Sequence, residues 1–338
     1  MDGEREIAAA VPGEVPPAYI PGSAQDPAHP HDHGAGGQPE RALNDEKSGK
    51  GRKLEYPPAP EPLRVPVFDN HAHLDFRDGQ VAVTVQQHLD AAAAVGVAGA
   101  ICVGYDRASS EFSVTAAATD PRLKAAVALH PNDAPVLAEQ GEYQNALARI
   151  EELTHHDHVV AVGETGLDYF RTGESGVAAQ KRSFYDHIAL ASSRGLAMQV
   201  HDRDAHQDVV EVLREPPELP RSVIFHCFSG DVELARICNE NGWYMSFAGT
   251  VTFKNAGHLR EALAAADPQL ILVETDTPFL APHPYRGRPN APYLVPQTMR
   301  LMAQVRSGAA EGEELERQVD RLCQQVMFNT IQAYGDWL

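Results

Sequence analysis

From residue 63 onward the chain repeats one pattern eight times: a short apolar, β-rich run, followed in most cases by a stretch with helical spacing. The runs are LRVPVFDNHAH, AGAICVG, LKAAVALHP, HVVAVGET, LAMQVHD, SVIFHCFS, WYMSFAG and QLILVETD. Among the intervening stretches, Phe184, Ile188 and Ala191 fall at i, i+4 and i+7, so a helix is expected from about Ala179 to Arg194, with Gly195 as its stop. A second helix is expected near Val83 to Val95, with Val85, Leu89 and Ala92 or Ala93 on one face. Alternating units of this kind build a parallel sheet buried on both faces. Eight of them over residues 63–338 predict an α/β fold, a TIM-like (β/α)8 barrel, whose usual size is about 250 residues. An open doubly wound sheet is the competitor. The barrel is preferred because polar residues close many strands, not one crevice, and no Gly-rich phosphate loop follows the first strand.

Residues 1–62 have a different composition. VPGEVPPAYIPGSAQDPAHPHDHGAGGQPE and YPPAPEP are crowded with Pro, Gly and small polar residues and lack a sustained apolar period. Such a segment buries too little surface to offset the entropy of ordering it, so a disordered or loosely attached N-terminal extension is expected, able to recruit a protein partner. His29, His31 and His33 within it offer only adventitious metal affinity, because a disordered chain does not preorganise ligands. No apolar stretch approaches the roughly 20 residues that cross a bilayer, and the start MDGEREIAAAVPGE has no basic or apolar leader. A cytoplasmic protein without a membrane partner is the expectation. Cys102, Cys227, Cys238 and Cys323 are scattered, with no C-x-x-C pair, and read as reduced thiols. The formal charge of -19 disfavours a broad basic surface for nucleic acid, though a local basic pocket remains compatible with it.

The strand ends carry the chemistry. Val65, Val67, Asp69, His71 and His73 share one parity, so both histidines point to one side of the first strand. The H-x-H pair alone is a weak signal. Glu164 follows Val160 and Val162 in parity, and a buried carboxylate there needs a cation or a donor; Gly166 after it would allow a tight turn. The fifth and sixth runs end at His201 and His226. In the eighth, Glu274 and Asp276 share a parity, which leaves open which of them faces the site. Each residue alone has a structural explanation, but their joint placement on five strands does not. Four imidazoles and two or three carboxylates form the donor inventory for two divalent ions that share an activated water and bring its pKa from 15.7 towards about 7. That is hydrolase chemistry.

The segments FDNHAHLDF, ALHPND, GETGLDYF, VHDRDAH, HCFSG, ETDTPFLAP and YRGRPNAP, in this order, resemble the signatures of the TatD-type metal-dependent hydrolases, within the amidohydrolase-like barrels. The resemblance covers about residues 63–338 and leaves the extension outside. It implies a two-metal site and hydrolysis of phosphodiester bonds, as a deoxyribonuclease or exonuclease on DNA and sometimes RNA. It also implies that His71, His73, Glu164 and Asp276 hold one ion, and that Glu164, His201 and His226 hold the other, with Glu164 as the bridge. It favours Asp276 over Glu274, which becomes a supporting residue.

With six positions filling that set, His130 of ALHPND is expected to give a hydrogen bond or proton to a phosphate oxygen, a structural strand-end role being the alternative. Arg203, Lys254, Arg286 and Arg288 are candidates for holding phosphate. Asp276 would accept or relay the proton. Nitrogen-rich ligation suits Zn or Mn, whereas the family's nuclease activity is associated with Mg. Ala128 and Ala291 replace residues usual in the family, which bears on the shape of the substrate edge and not on the metal set. Two other readings accompany the nuclease: a metal-dependent hydrolase of another ester, lactone, amide or aminoacyl-ester bond, and a non-catalytic scaffold or regulator.

Overall fold

The computed structural model describes residues 10–23, 39–44, 49–308 and 310–335; His29, His31 and His33 lie outside them. Eight strands, β1 (Val67–Ala72), β2 (Val97–Val103), β3 (Leu123–Val127), β4 (Val159–Asp168), β5 (Ala197–Arg203), β6 (Ser222–Phe225), β7 (Tyr244–Phe247) and β8 (Ile271–Val273), follow one another in a parallel sheet in chain order. All eight expected runs are strands. The ring closes at the C-terminal end of β8: Asp276 N–H donates to His71 O at 2.9 Å and His73 N–H to Thr277 O at 2.8 Å. Asn70 Nδ2 adds a bond to Val273 O at 2.8 Å. The expected barrel is therefore the observed one.

Around it run α1 (Val85–Ala93), α2 (Arg107–Ala117), α3 (Asp133–Glu139), α4 (Tyr143–Leu153), α5 (Glu174–Arg194), α6 (His206–Arg214), α7 (Val232–Asn241), α8 (Gly257–Ala265), α9 (Val295–Arg306) and α10 (Gly312–Tyr334). Their starts are legible in local chemistry. Thr84 with Gln87, and Asp106 with Ser109, form reciprocal capping boxes that satisfy otherwise orphaned N–H groups of α1 and α2. Gly195, at φ +62°, ends α5 in the left-handed conformation that glycine adopts without strain. Among the described residues, no helix is long and apolar enough to cross a membrane.

Phe68, Ile101, Val103, Ala126, Ala161, Ala197, Ile224 and Leu272 fill the barrel interior, and Tyr334 of α10 packs against them. Gln199 Nε2 donates to Asn70 O at 2.8 Å and to the Tyr334 hydroxyl at 2.9 Å above this layer. An apolar floor with polar groups above it directs the chemistry to the C-terminal mouth, as parallel barrels require.

The described parts of the extension are docked on the barrel. Tyr19, Tyr56 and Ala59 belong to the main apolar core. The Tyr19 ring lies 4.5 Å from that of Tyr56 and 5.0 Å from that of Tyr293, and its hydroxyl is 2.9 Å from His88 Nδ1. Average composition hides such anchors: one fully buried aromatic ring contributes on the order of 2–3 kcal/mol, enough to hold a short polar segment.

Candidate metal centre

β1 delivers His71 and His73 to the mouth together, as their shared parity predicts, although the β1–β2 register shifts between Asp69 and Ala72. Their Nε2 atoms stand 3.3 Å apart. His73 Nδ1 is 2.9 Å from Val103 O, and since a carbonyl can only accept, Nδ1 carries the proton and Nε2 of the neutral ring presents its lone pair inward. Below them Asp69 accepts from Thr275 N–H at 2.8 Å, from the Thr275 hydroxyl at 2.5 Å and from His71 N–H at 3.3 Å. Burial pushes the Asp69 carboxyl up to about 7 against these bonds.

Glu164 sits within β4, not before a turn. The strand continues to Asp168, and Gly166, at φ +145°, pairs with His201. A Cβ at Gly166 would stand 2.1 Å from His201 O, so the glycine permits a close approach of two strands and not the tight turn its position suggests. This approach sets His201 against Glu164. Oε1 of Glu164 lies 2.5 Å from His201 Nδ1, 2.8 Å from His226 Nε2 and 3.4 Å from His130 Nε2. Its Oε2 lies 3.6 Å from His73 Nε2 and 3.7 Å from His71 Nε2. Burial alone would raise this carboxyl, but His226 and His130 hold it well below the usual range.

The eighth strand ends at Val273, and Asp276 takes φ +57° with its side chain 14% exposed. Parity could not decide here because the chain has left the strand. Asp276 Oδ1 is 3.6 Å from His73 Nε2 and 3.7 Å from His71 Nε2. Glu274 points elsewhere: its Oε1 accepts Cys227 N–H at 2.6 Å and lies 3.5 Å from His226 Nδ1. Asn290 of the RGRPNAP segment fixes the turn by donating to Thr275 O at 2.9 Å and Phe279 O at 2.6 Å.

Two features escaped the reading from sequence. Asp168 Oδ2 lies 3.3 Å from His201 Nε2 while accepting from Asn132 Nδ2 at 3.0 Å; it shares the parity of Glu164 and stands in the same motif, which is where it could have been found. His130 Nδ1 accepts Asn132 N–H at 3.1 Å, so its neutral ring carries the proton on Nε2, unlike the inward lone pair of His73.

Among the described residues, three overlapping groups bring ligand atoms within 4.8 Å of one another: His71, Glu164 and His226; His71, His73 and Asp276; His130, Glu164 and His201. Imidazole nitrogens and carboxylate oxygens aimed at one another repel unless a proton or a cation lies between them, so the donor set fits divalent metal ions. The unbound cluster answers with protonation. Burial would lower His226 and His73, but Glu164 and Glu274 bring His226 well above its ordinary value, and Asp276 and Glu164 bring His73 to about 9.

The expected phosphate holders occupy the rim unevenly. Arg203 Cζ is 3.9 Å from the centre of the Phe170 ring and Arg286 Cζ is 4.5 Å from that of Phe253. Lys254 is exposed. Arg288 is used within the fold, donating to Glu55 O at 2.8 Å and Tyr56 O at 2.9 Å, so it ties down the extension. A further arginine comes from the extension: Arg41 Cζ is 5.1 Å from the centre of the Phe279 ring.

Residues 68–335 match the family described as TatD related DNase. An uncharacterized metal-dependent hydrolase TatD of Mycobacterium tuberculosis is 42% identical over 243 residues, 71% of this chain and 90% of the relative. The metal-dependent hydrolase YabD of Bacillus subtilis is 38% identical over 240 residues, 71% of this chain and 91% of its own length. Among solved structures, the TatD homologue YjjV of Escherichia coli superposes with a TM-score of 0.70 at 25% identity, covering 80% of this chain and 98% of that one. With the barrel, the converging donors and these relatives in agreement, the chain belongs to the TatD family of metal-dependent hydrolases.

Proposed function

We propose that the protein is a two-metal phosphodiesterase acting on nucleic acid, DNA first and RNA second. The observation that carries this reading is Glu164, whose two oxygens approach different imidazoles, Oε2 those of His71 and His73 and Oε1 those of His130, His201 and His226. A carboxylate placed so is suited to join two cations. His71, His73, Glu164 and Asp276 would hold one, and Glu164, His201 and His226 the other. Bound there, divalent ions supply Lewis acidity towards a phosphoryl oxygen and an acidified water.

The chain's own residues do the rest. Asp276, open to the mouth, takes the proton released by the attacking water. His130 donates its Nε2–H to a phosphate oxygen, as its tautomer allows. Arg203 and Arg286 neutralise charge on flanking phosphates while their phenylalanine platforms offer faces for bases, with Lys254 adding charge at the rim. These arginine–aromatic pairs favour a nucleic acid over an uncharged ester.

The test is a panel of single-stranded DNA, RNA, a small phosphodiester and an uncharged ester, run with full-length protein of measured metal content. Asp276→Asn is expected to lower turnover by about 10²–10⁴-fold and to weaken binding far less. Near-parental turnover in that variant refutes its role. Action on the uncharged ester alone moves the reading to other ester, lactone or amide bonds, and no hydrolysis at all moves it to a scaffold.

A further inference from the structure

We propose that the N-terminal extension completes the substrate site, with Arg41 as a substrate-binding residue that holds a phosphate flanking the scissile one. The inference rests on the phosphodiesterase reading and extends the site beyond the barrel.

The extension is pinned beside the mouth by backbone pairing. Arg41 N–H donates to Arg77 O at 3.0 Å, and Arg77 N–H to Pro39 O at 2.8 Å, just beyond the end of β1. Two arginines from this segment then meet one buried carboxylate. Arg52 grips Asp78 through two bonds of 3.1 and 2.7 Å, and gives its other donors to Gly287 O and Ala42 O. Its side chain is 3% exposed. Arg52 is the anchor.

Arg41 is placed differently. Its Nη1 reaches Asp78 Oδ2 at 3.2 Å and Pro278 O at 2.6 Å, and its side chain keeps 18% exposure. Pro278 is two residues from Asp276, and Phe279, under the guanidinium, donates its N–H to Asp276 O at 2.8 Å. The Phe279 ring is 6.3 Å from the His73 ring and 5.4 Å from the Phe76 ring. The guanidinium thus stands one aromatic ring away from a proposed metal ligand. Among the described residues, Asp78 is the one carboxylate ion-paired with both guanidinium groups, so positive charge is in excess of its direct ion-pair partner in a half-buried place. Burial and the neighbouring Arg52 both lower the Arg41 pKa, while Asp78 and Asp276 counter them. An anion arriving at the rim relieves that excess, and the planar fork fits phosphate oxygens. A diester with a single phosphate does not need this contact; a polynucleotide with flanking phosphates does.

The experiment compares the full-length parent with Arg41→Gln, which keeps donors for Pro278 and Asp78 but removes the charge, and Arg41→Lys, which keeps the charge. Two substrates are used, bis(p-nitrophenyl) phosphate and a single-stranded oligothymidylate, together with anisotropy of the labelled oligothymidylate in chelator across a salt series. Arg41→Gln is expected to raise KM for the oligonucleotide about 10-fold with kcat nearly unchanged, to leave the small diester unaffected, and to reduce the salt slope of binding by about one. Arg41→Lys is expected to restore KM to within about threefold and to keep the parental slope. An active parent whose Arg41→Gln variant keeps the parental oligonucleotide KM and salt slope overturns the assignment of Arg41 alone. So does a Lys variant as impaired as the Gln one. A parent that hydrolyses neither diester overturns the phosphodiesterase reading and this inference with it.

Discussion

Metal loading of this site should release protons, and the number follows from the geometry. His73, brought to about 9 by Asp276 and Glu164 against the opposing effect of burial, is about 99% protonated at pH 7 once the metal has been removed by chelation. His226, well above its ordinary value because of Glu164 and Glu274, is protonated as well. His201 is raised, so it adds a further fraction, whereas His71 and His130 are lowered by burial and add none. Glu164 is already ionised. A metal requires the lone pair where a proton now sits, so filling the site should release roughly two protons at pH 7. The apparent affinity of the filled site should then rise with pH, about 10-fold per pH unit from His73 alone up to about pH 9, where it deprotonates unaided, and more steeply while His226 is also protonated. Calorimetric titration with Zn or Mn in Tris and in HEPES measures this, because the enthalpy difference between buffers scales with the protons taken up. Identical enthalpies in the two buffers would mean that protons do not hold the cation positions, and the reasoning would fail.

The stability of the unbound protein follows the same charges. A raised histidine contributes stability that is complete below its unfolded value of 6.5 and is lost as pH rises through its folded value, so the metal-free protein should weaken as pH climbs through about 9. Chemical denaturation in chelator across that window checks it. His187 acts in the opposite direction: burial lowers it to about 4, and its Nε2 accepts Leu129 N–H at 3.1 Å, next to His130. Its contribution is intact above 6.5 and declines by about 3 kcal/mol as pH falls towards 4, and His187→Gln should flatten that acid slope. Asp168→Ala, which removes the carboxylate behind His201, should lower metal affinity about 10–100-fold in competition with a chromophoric chelator; unchanged affinity would show that His201 is oriented without it. Tyr19→Ala should cost about 3 kcal/mol in denaturant unfolding, whereas an extension that is loose at this point predicts no change.

What could be read from the sequence, and what could not, divides along a physical line. His71, Glu164, His201 and His226 were visible because each follows an apolar run, within or just past its strand, where a polar side chain has few inexpensive structural explanations. The eight strands were visible for the related reason that burial on both faces leaves an uninterrupted apolar run. Residues lying in loops gave no such contrast. Asp276 lies past the end of β8 at φ +57°, where alternation no longer reports direction, so only the family resemblance could favour it over Glu274. Asp168 and His130 take their meaning from tertiary partners, His201 and Asn132 for the first and Glu164 and the Asn132 N–H for the second, which spacing does not encode. The places of Arg288, expected at phosphate, and of Arg41, not singled out from sequence, have a tertiary reason. The arginine in a family-like motif is used to hold the extension, while an arginine in a compositionally unpromising segment is carried to the mouth because Asp78 and the Arg77 backbone capture that segment. Composition averages over a stretch, but docking depends on a few contacts. Two tyrosines and two arginines are enough to bring a polar arm against a barrel, beside its mouth.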